Sequence, residues 1–161
     1  MKKLMLTLFF LFVSNQASAL CVPIVCTCSV SITPVSFGSF NPLLAGTHDA
    51  NGNVAVNCGG VVGLLIPYTI KLSQGGGTSY TARRMASGTH YLNYNMYTDN
   101  YVTIWGDGTG GSALPGGSIT LDLLGLSPAR NHTIYGRVAS NQTTAVPGLY
   151  TDTITVTVTY Y

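Results

Sequence analysis

Four cysteines, three histidines and five aspartates are the residues whose chemistry could define this chain. As metal ligands, Cys21-x4-Cys26-x-Cys28 would offer three thiols, but no second ligand pair follows at the spacing of a structural zinc site. His48, His90 and His132 sit on separate segments without an H-x-x-x-H pair, and no glutamate exists to act as a base. The aspartates are too dispersed to suggest the carboxylate pair of glycoside hydrolysis, and no serine occupies G-x-S-x-G. Gly106-x-Gly108-x-x-Gly111 has the form of a dinucleotide fingerprint, yet it opens no helix, so a mobile loop is expected there. Asn131-His-Thr and Asn141-Gln-Thr are sequons without meaning in a bacterial export path. Ten tyrosines and Trp105 could line a sugar site, although packing a β-sandwich is their simpler use. The expectation is no enzyme, no metal and no cofactor.

The remaining role for the cysteines is disulfide chemistry, which requires an oxidising compartment. Met1-Lys-Lys-Leu is a basic opening, Leu4–Val13 an apolar core and Ala17-Ser-Ala19 a cleavage site, so residues 1–19 read as a bacterial signal peptide. The apolar run is about half the roughly 20 residues a membrane span needs. Leu20 argues against lipidation at Cys21, where a small residue would be required. Four cysteines allow three connectivities. Cys26 and Cys28 are neighbours on one strand face and pair poorly, so Cys28–Cys58 is favoured, with Cys21–Cys26 as the second bridge. Closing a loop of about 31 residues would stabilise by roughly 3–4 kcal/mol.

Removing the signal leaves 142 residues, enough for one domain. Lys2 and Lys3 leave with it, so Lys71, Arg83, Arg84, Arg130 and Arg137 then balance five aspartates. A net charge of zero offers no basic patch for nucleic acid and little protection against association. Abundant Gly, Thr, Ser, Asn and Tyr with few helix formers point to an all-β exported domain.

The strands that would position these residues follow from alternation. Val30 and Ile32 are apolar at even positions and Val35 and Phe37 at odd ones, so the phase breaks at Thr33-Pro34: a bulge or a switch between sheets. Residues 52–58 place Val54, Val56 and Cys58 inward, and residues 68–72 repeat the pattern. Arg83-Arg84-Met85 falls in a turn-rich stretch. Residues 92–96 and 102–105 read as a hairpin in the middle of the sandwich, and residues 118–124 and 131–138 as further strands. From Thr151 onward every odd position to 159 is threonine, while Ile154, Val156, Val158 and Tyr160 are apolar. That is a strand with one buried and one wet face. The chain stops at Tyr161, so no later strand is expected to pair with its far edge. Such an edge invites pairing from another chain.

These pieces have a collective likeness. Cys28-Ser-Val-Ser, Phe37-Gly-Ser-Phe-Asn-Pro42, Val54-Ala-Val-Asn-Cys58, Tyr68-Thr-Ile-Lys-Leu-Ser73, Arg84-Met85, Leu92-Asn-Tyr-Asn-Met-Tyr-Thr-Asp99, Trp105-Gly-Asp-Gly108, Tyr135-Gly-Arg-Val138 and Gly148-x-Tyr-x-Asp-Thr-Ile154 resemble, in order and spacing, the spore coat U domain family. That family includes spore coat proteins and subunits of archaic chaperone–usher pili. The resemblance implies an immunoglobulin-like β-sandwich lacking its last strand, completed first by a periplasmic chaperone and then by a neighbouring subunit at an outer-membrane usher. It also maps the family's first-to-second-strand disulfide onto Cys28 and Cys58. Gly148 and Tyr160 fit the C-terminal signature of pilins, where the last strand meets the chaperone.

The resulting expectation is a signal peptide over 1–19, a short extension over 20–27 and a pilin-like domain over 28–161. Gly148, Ile154, Val156, Val158 and Tyr160 should line an acceptor groove, with Val30 and Ile32 opposite. Leu20, Val22, Ile24 and Cys26 alternate like a short donor strand, but a Cys21–Cys26 bridge would cripple it, because an extended segment spans roughly 16 Å there. This favours a tip or minor subunit over a shaft subunit, at the cell surface, serving adhesion and biofilm formation, with an abiotic surface or a glycan as its contact. The rival readings are a spore or cyst coat protein assembled without an usher, and a secreted carbohydrate-binding module using tyrosines and Trp105.

Overall fold

The computed structural model describes residues 26–161. The signal peptide, Cys21 and residues 20–25 of the extension lie outside the described residues. Among the described residues eight strands form: β1 (Cys26–Thr33), β2 (His48–Gly60), β3 (Leu65–Leu72), β4 (Arg83–Ser87), β5 (His90–Tyr97), β6 (Gly116–Thr120), β7 (Arg130–Val138) and β8 (Val156–Tyr160). They build two antiparallel sheets, ordered β1-β2-β7-β5-β4 and β6-β3-β8. The all-β sandwich expected from the alternation is the observed architecture.

Each sheet turns one face of a period-two pattern inward. Val54, Val56 and Cys58 of β2, Ile66, Tyr68, Ile70 and Leu72 of β3, Leu92 and Tyr94 of β5, and Ile134 and Val138 of β7 are buried together. Cys28 lies directly opposite Cys58 in the β1–β2 ladder. Their sulfurs are joined across a Cα separation of 4.1 Å, so the favoured bridge is the observed one. Cys26 is also disulfide-bonded, and its expected partner Cys21 lies outside the described residues.

One expectation is sharpened and three are corrected. Residues 102–105 do turn back against the end of β5, but through a single antiparallel bridge of Ile104 to Tyr97 rather than a strand, while β5 itself pairs with β4 and β7. The Thr98 N–H donates to the Thr103 carbonyl and the Trp105 N–H to the Met96 carbonyl, and beyond this short ladder the Trp105 indole N–H reaches across the core to the Ile70 carbonyl, 2.8 Å away. Arg83-Arg84-Met85 is not a turn but the start of β4. Arg83 is wholly buried there because each guanidinium nitrogen finds an acceptor: Nε and Nη2 bond the Ser73 carbonyl, Nη2 also bonds the Trp105 carbonyl, and Nη1 bonds Asn95 Oδ1. The loop over 106–112 is tied down rather than loose. Asp107 accepts from the Thr109 N–H and hydroxyl, and the Ser112 hydroxyl donates to the Thr109 carbonyl. Finally, the regular terminal strand starts at Val156, because Thr151 first pairs with Ala86 of β4 in the other sheet.

Candidate functional site: an open cleft between the sheets

Pro34 ends β1 by removing a ladder donor. The chain then crosses the inner face of the larger sheet, which is possible because Gly52 and Gly136 leave that face bare. A Cβ at Gly52 would lie 2.9 Å from Val35 Cγ2, and one at Gly136 3.1 Å from Phe37 Cζ. Phe37 meets Tyr94 edge-on at 6.1 Å, and its carbonyl lies 2.7 Å from His48 Nε2. Phe40 stacks on the His48 ring at 4.4 Å. Residues 35–43 are thus pinned as one wall of a cleft, although they belong to no sheet. The phase break at Pro34 was the sequence signal for this crossing.

Residues 145–152 form the facing wall. The Tyr150 hydroxyl staples that wall to the backbone of Val146, donating to its carbonyl and accepting from its N–H. Asp152 fastens its end. Its carboxylate accepts from the Gly76 N–H at 2.8 Å and from the Tyr94 hydroxyl at 2.7 Å. Burial and the Asp152 hydrogen bond push the Tyr94 phenol far above its ordinary value, so it remains a neutral donor. Gly75, at φ 62°, has no room for a side chain beside this carboxylate. Met85, Leu92, Tyr94 and Met96 make an apolar floor, and the cleft encloses about 910 Å³. This floor was not part of the sequence-level site; only the alternation of Leu92, Tyr94 and Met96 hinted at it.

Past Asp152, the last residue that lines the cleft, the chain runs on into a strand with a free edge. β8 pairs with β3 alone, and β1 with β2 alone. Among the described residues no strand covers the other edge of either. Neither strand carries a charged side chain, the usual guard of an exposed edge. Ile154, Val156 and Val158 are partly buried against the core, whereas Tyr160 is exposed, and none of the four lines the cleft itself. Gly148 lines the cleft, where a Cβ would press on the Ser87 hydroxyl at 2.7 Å. Val30 and Ile32 stand on β1, 41% and 50% exposed despite their aliphatic character, and do not line the cleft proper.

Other chemistry is sparse. Among the described residues no three His, Cys, Asp or Glu side chains are placed to hold a metal. Trp105 is 1% exposed and cannot line a surface sugar site as the carbohydrate-binding rival required. His132 faces the core with Nε2 2.7 Å from the Tyr68 hydroxyl, and burial lowers its pKa.

Residues 14–157 match the model of the Spore Coat Protein U domain. The chain belongs to this family. The family match therefore spans both walls of the cleft and its floor, and ends two residues into β8. No curated protein sequence matches the chain. Among solved structures it is similar to a chain in the crystal structure of the CsuC-CsuE chaperone-tip adhesion subunit pre-assembly complex from archaic chaperone-usher Csu pili of Acinetobacter baumannii. The two are 20% identical with a TM-score of 0.55, over 83% of this chain and 40% of that one. This chain thus spans less than half the length of that structure, and the likeness is one of fold.

Proposed function

We propose that this protein is a non-enzymatic structural subunit of an archaic chaperone–usher pilus whose sandwich is completed by a strand from another chain. The observation that carries the reading is the unpaired, uncharged edge of β8, which the chain enters as it leaves one wall of an open apolar cleft. A donated strand would add main-chain hydrogen bonds to that edge and set alternate side chains into the cleft. Each Å² of apolar surface so covered contributes about 25 cal/mol. Gly148, Ile154, Val156, Val158 and Tyr160 form the acceptor side in this reading, with Val30 and Ile32 opposite.

The partners are then a periplasmic chaperone, an outer-membrane usher and neighbouring subunits, and the protein ends at the cell surface. Kinship with the spore coat protein U family and the likeness of fold to a pilus pre-assembly complex support this assignment. A tip or minor position, serving surface adhesion and biofilm formation, is the finer reading. Its support is the end of the 20–27 segment: Cys26 and Thr27 already pair with β2 as part of β1, and Cys26 is engaged in a disulfide, so these two residues are not free to donate.

The test is thermal unfolding of the mature protein with and without a donor-strand peptide or the chaperone. A large rise in Tm on complementation is expected. A protein already stable alone and indifferent to both would sink the proposal.

A further inference from the structure

On the outer face of the larger sheet, far from the cleft, a second group of residues has no role in completing the fold. Tyr97 and Tyr135 are direct cross-strand partners on β5 and β7. Tyr101, from the turn after β5, folds back over them, edge-on to Tyr97 at 6.0 Å and to Tyr135 at 5.6 Å. To do so it adopts φ 68°, a left-handed conformation that a bulky side chain seldom takes and that glycine would adopt freely. The turn is held there by Asp99, whose carboxylate accepts from the Thr103 N–H at 2.7 Å and the Thr103 hydroxyl at 2.9 Å. Strained backbone that presents a side chain at a surface points to a use for that side chain.

Fixed polar groups border the rings. The Arg137 guanidinium lies 3.8 Å from the Tyr101 centroid and binds Asp49 through two hydrogen bonds of 2.7 Å each. That pairing holds Asp49 below the usual carboxylate range, so the planar pair persists across physiological pH. Asn51 stands directly opposite Tyr135 in the β2–β7 ladder and is exposed. All three rings are only partly exposed, so their orientation is set before any ligand arrives.

We infer that this surface binds a neutral glycan, with the C–H face of a pyranose ring against the tyrosines and its hydroxyls on Asn51 and the Arg137–Asp49 pair. Tyrosine joins an apolar ring face to a polar tip, which suits a ligand that is apolar on one face and hydroxylated around its rim. Single-stranded nucleic acid would use aromatic stacking too, but it needs a basic groove. Here the one cation at the rings is neutralised by Asp49, and the mature chain has no net charge.

The secreted mature protein should be applied to arrayed neutral hexose and N-acetylhexosamine oligosaccharides, and the best-retained one titrated. Tyr135→Ala and Tyr101→Ala are expected to weaken binding about tenfold, as loss of one ring contact does. Tyr135→Phe should retain it. Asn51→Ala, an exposed change that leaves the sheet intact, should weaken it severalfold. None of these variants should alter the rise in Tm on donor-strand complementation, which keeps this test separate from that of the cleft. No retention of any neutral oligosaccharide, or equal binding by wild type and Asn51→Ala and Tyr135→Ala, would overturn the inference.

Discussion

Two regions between the sheets of this molecule show opposite ways of finishing a protein interior. Around Arg83 the interior is closed by the chain itself. A buried cation is there surrounded by the carbonyls of Ser73 and Trp105, the amide of Asn95 and the ring of Tyr80. No buried side-chain polar atom among the described residues lacks a partner. At the cleft, by contrast, apolar side chains of two walls and a floor face one another across open space. The difference follows from the kinds of group involved. An unsatisfied buried charge would cost several kcal/mol, so the fold must complete its shell at once. Exposed apolar surface costs only in proportion to area, so its completion can wait for a second chain.

This contrast can be broken most severely at β8. Val156→Asp places a charge where a donated strand must pack. Capture by the chaperone is expected to be abolished in co-purification, while the Arg83 region is untouched. Next in size is Arg83→Met, which fills similar volume but strands the acceptors of Ser73, Trp105 and Asn95. It should lower unfolding free energy by about 3 kcal/mol or more in denaturant titration of the complemented protein. An effect on capture without an effect on stability would invert the comparison. Asp152→Ala unlatches the wall that joins the two regions, leaving the Tyr94 hydroxyl and Gly76 N–H without their acceptor. A loss of roughly 1–3 kcal/mol is expected, together with faster hydrogen exchange over residues 148–155.

The smallest effect is a pH dependence. Burial lowers the folded-state pKa of His132, so its neutral form favours the fold. Its contribution is fully present above the unfolded value of about 6.5 and is lost as pH falls through the folded value. His132→Gln should therefore flatten the decline of Tm below pH 6.5 relative to wild type. Parallel curves would show that Tyr68 and His132 are not coupled to stability.

Much of this was legible before folding. The Val54–Val56–Cys58 and Ile154–Val156–Val158 alternations, the phase break at Pro34 and the pairing of Cys28 with Cys58 all survive in three dimensions. They were readable because a strand's inward face is encoded by residues two apart, and a disulfide by residues of one special type. Even the unguarded edge of β8 could be anticipated from threonines and valines without a charge.

What only the tertiary structure decided is which surfaces meet. Arg83 looked like a turn residue because nothing local reveals that Ser73, Asn95 and Trp105 converge on it. Trp105 was expected to pack the sandwich, but nothing local said that its indole N–H would meet the Ile70 carbonyl, 35 residues away in sequence. The cleft unites residues 35–43 with residues 145–152 over a floor from β4 and β5, and Tyr101 reaches Tyr135 only through a left-handed turn. Local alternation says which way a side chain points relative to its own sheet. Long-range packing alone says what it then faces, because the partners are brought together by the whole set of strand pairings rather than by their neighbours in the chain.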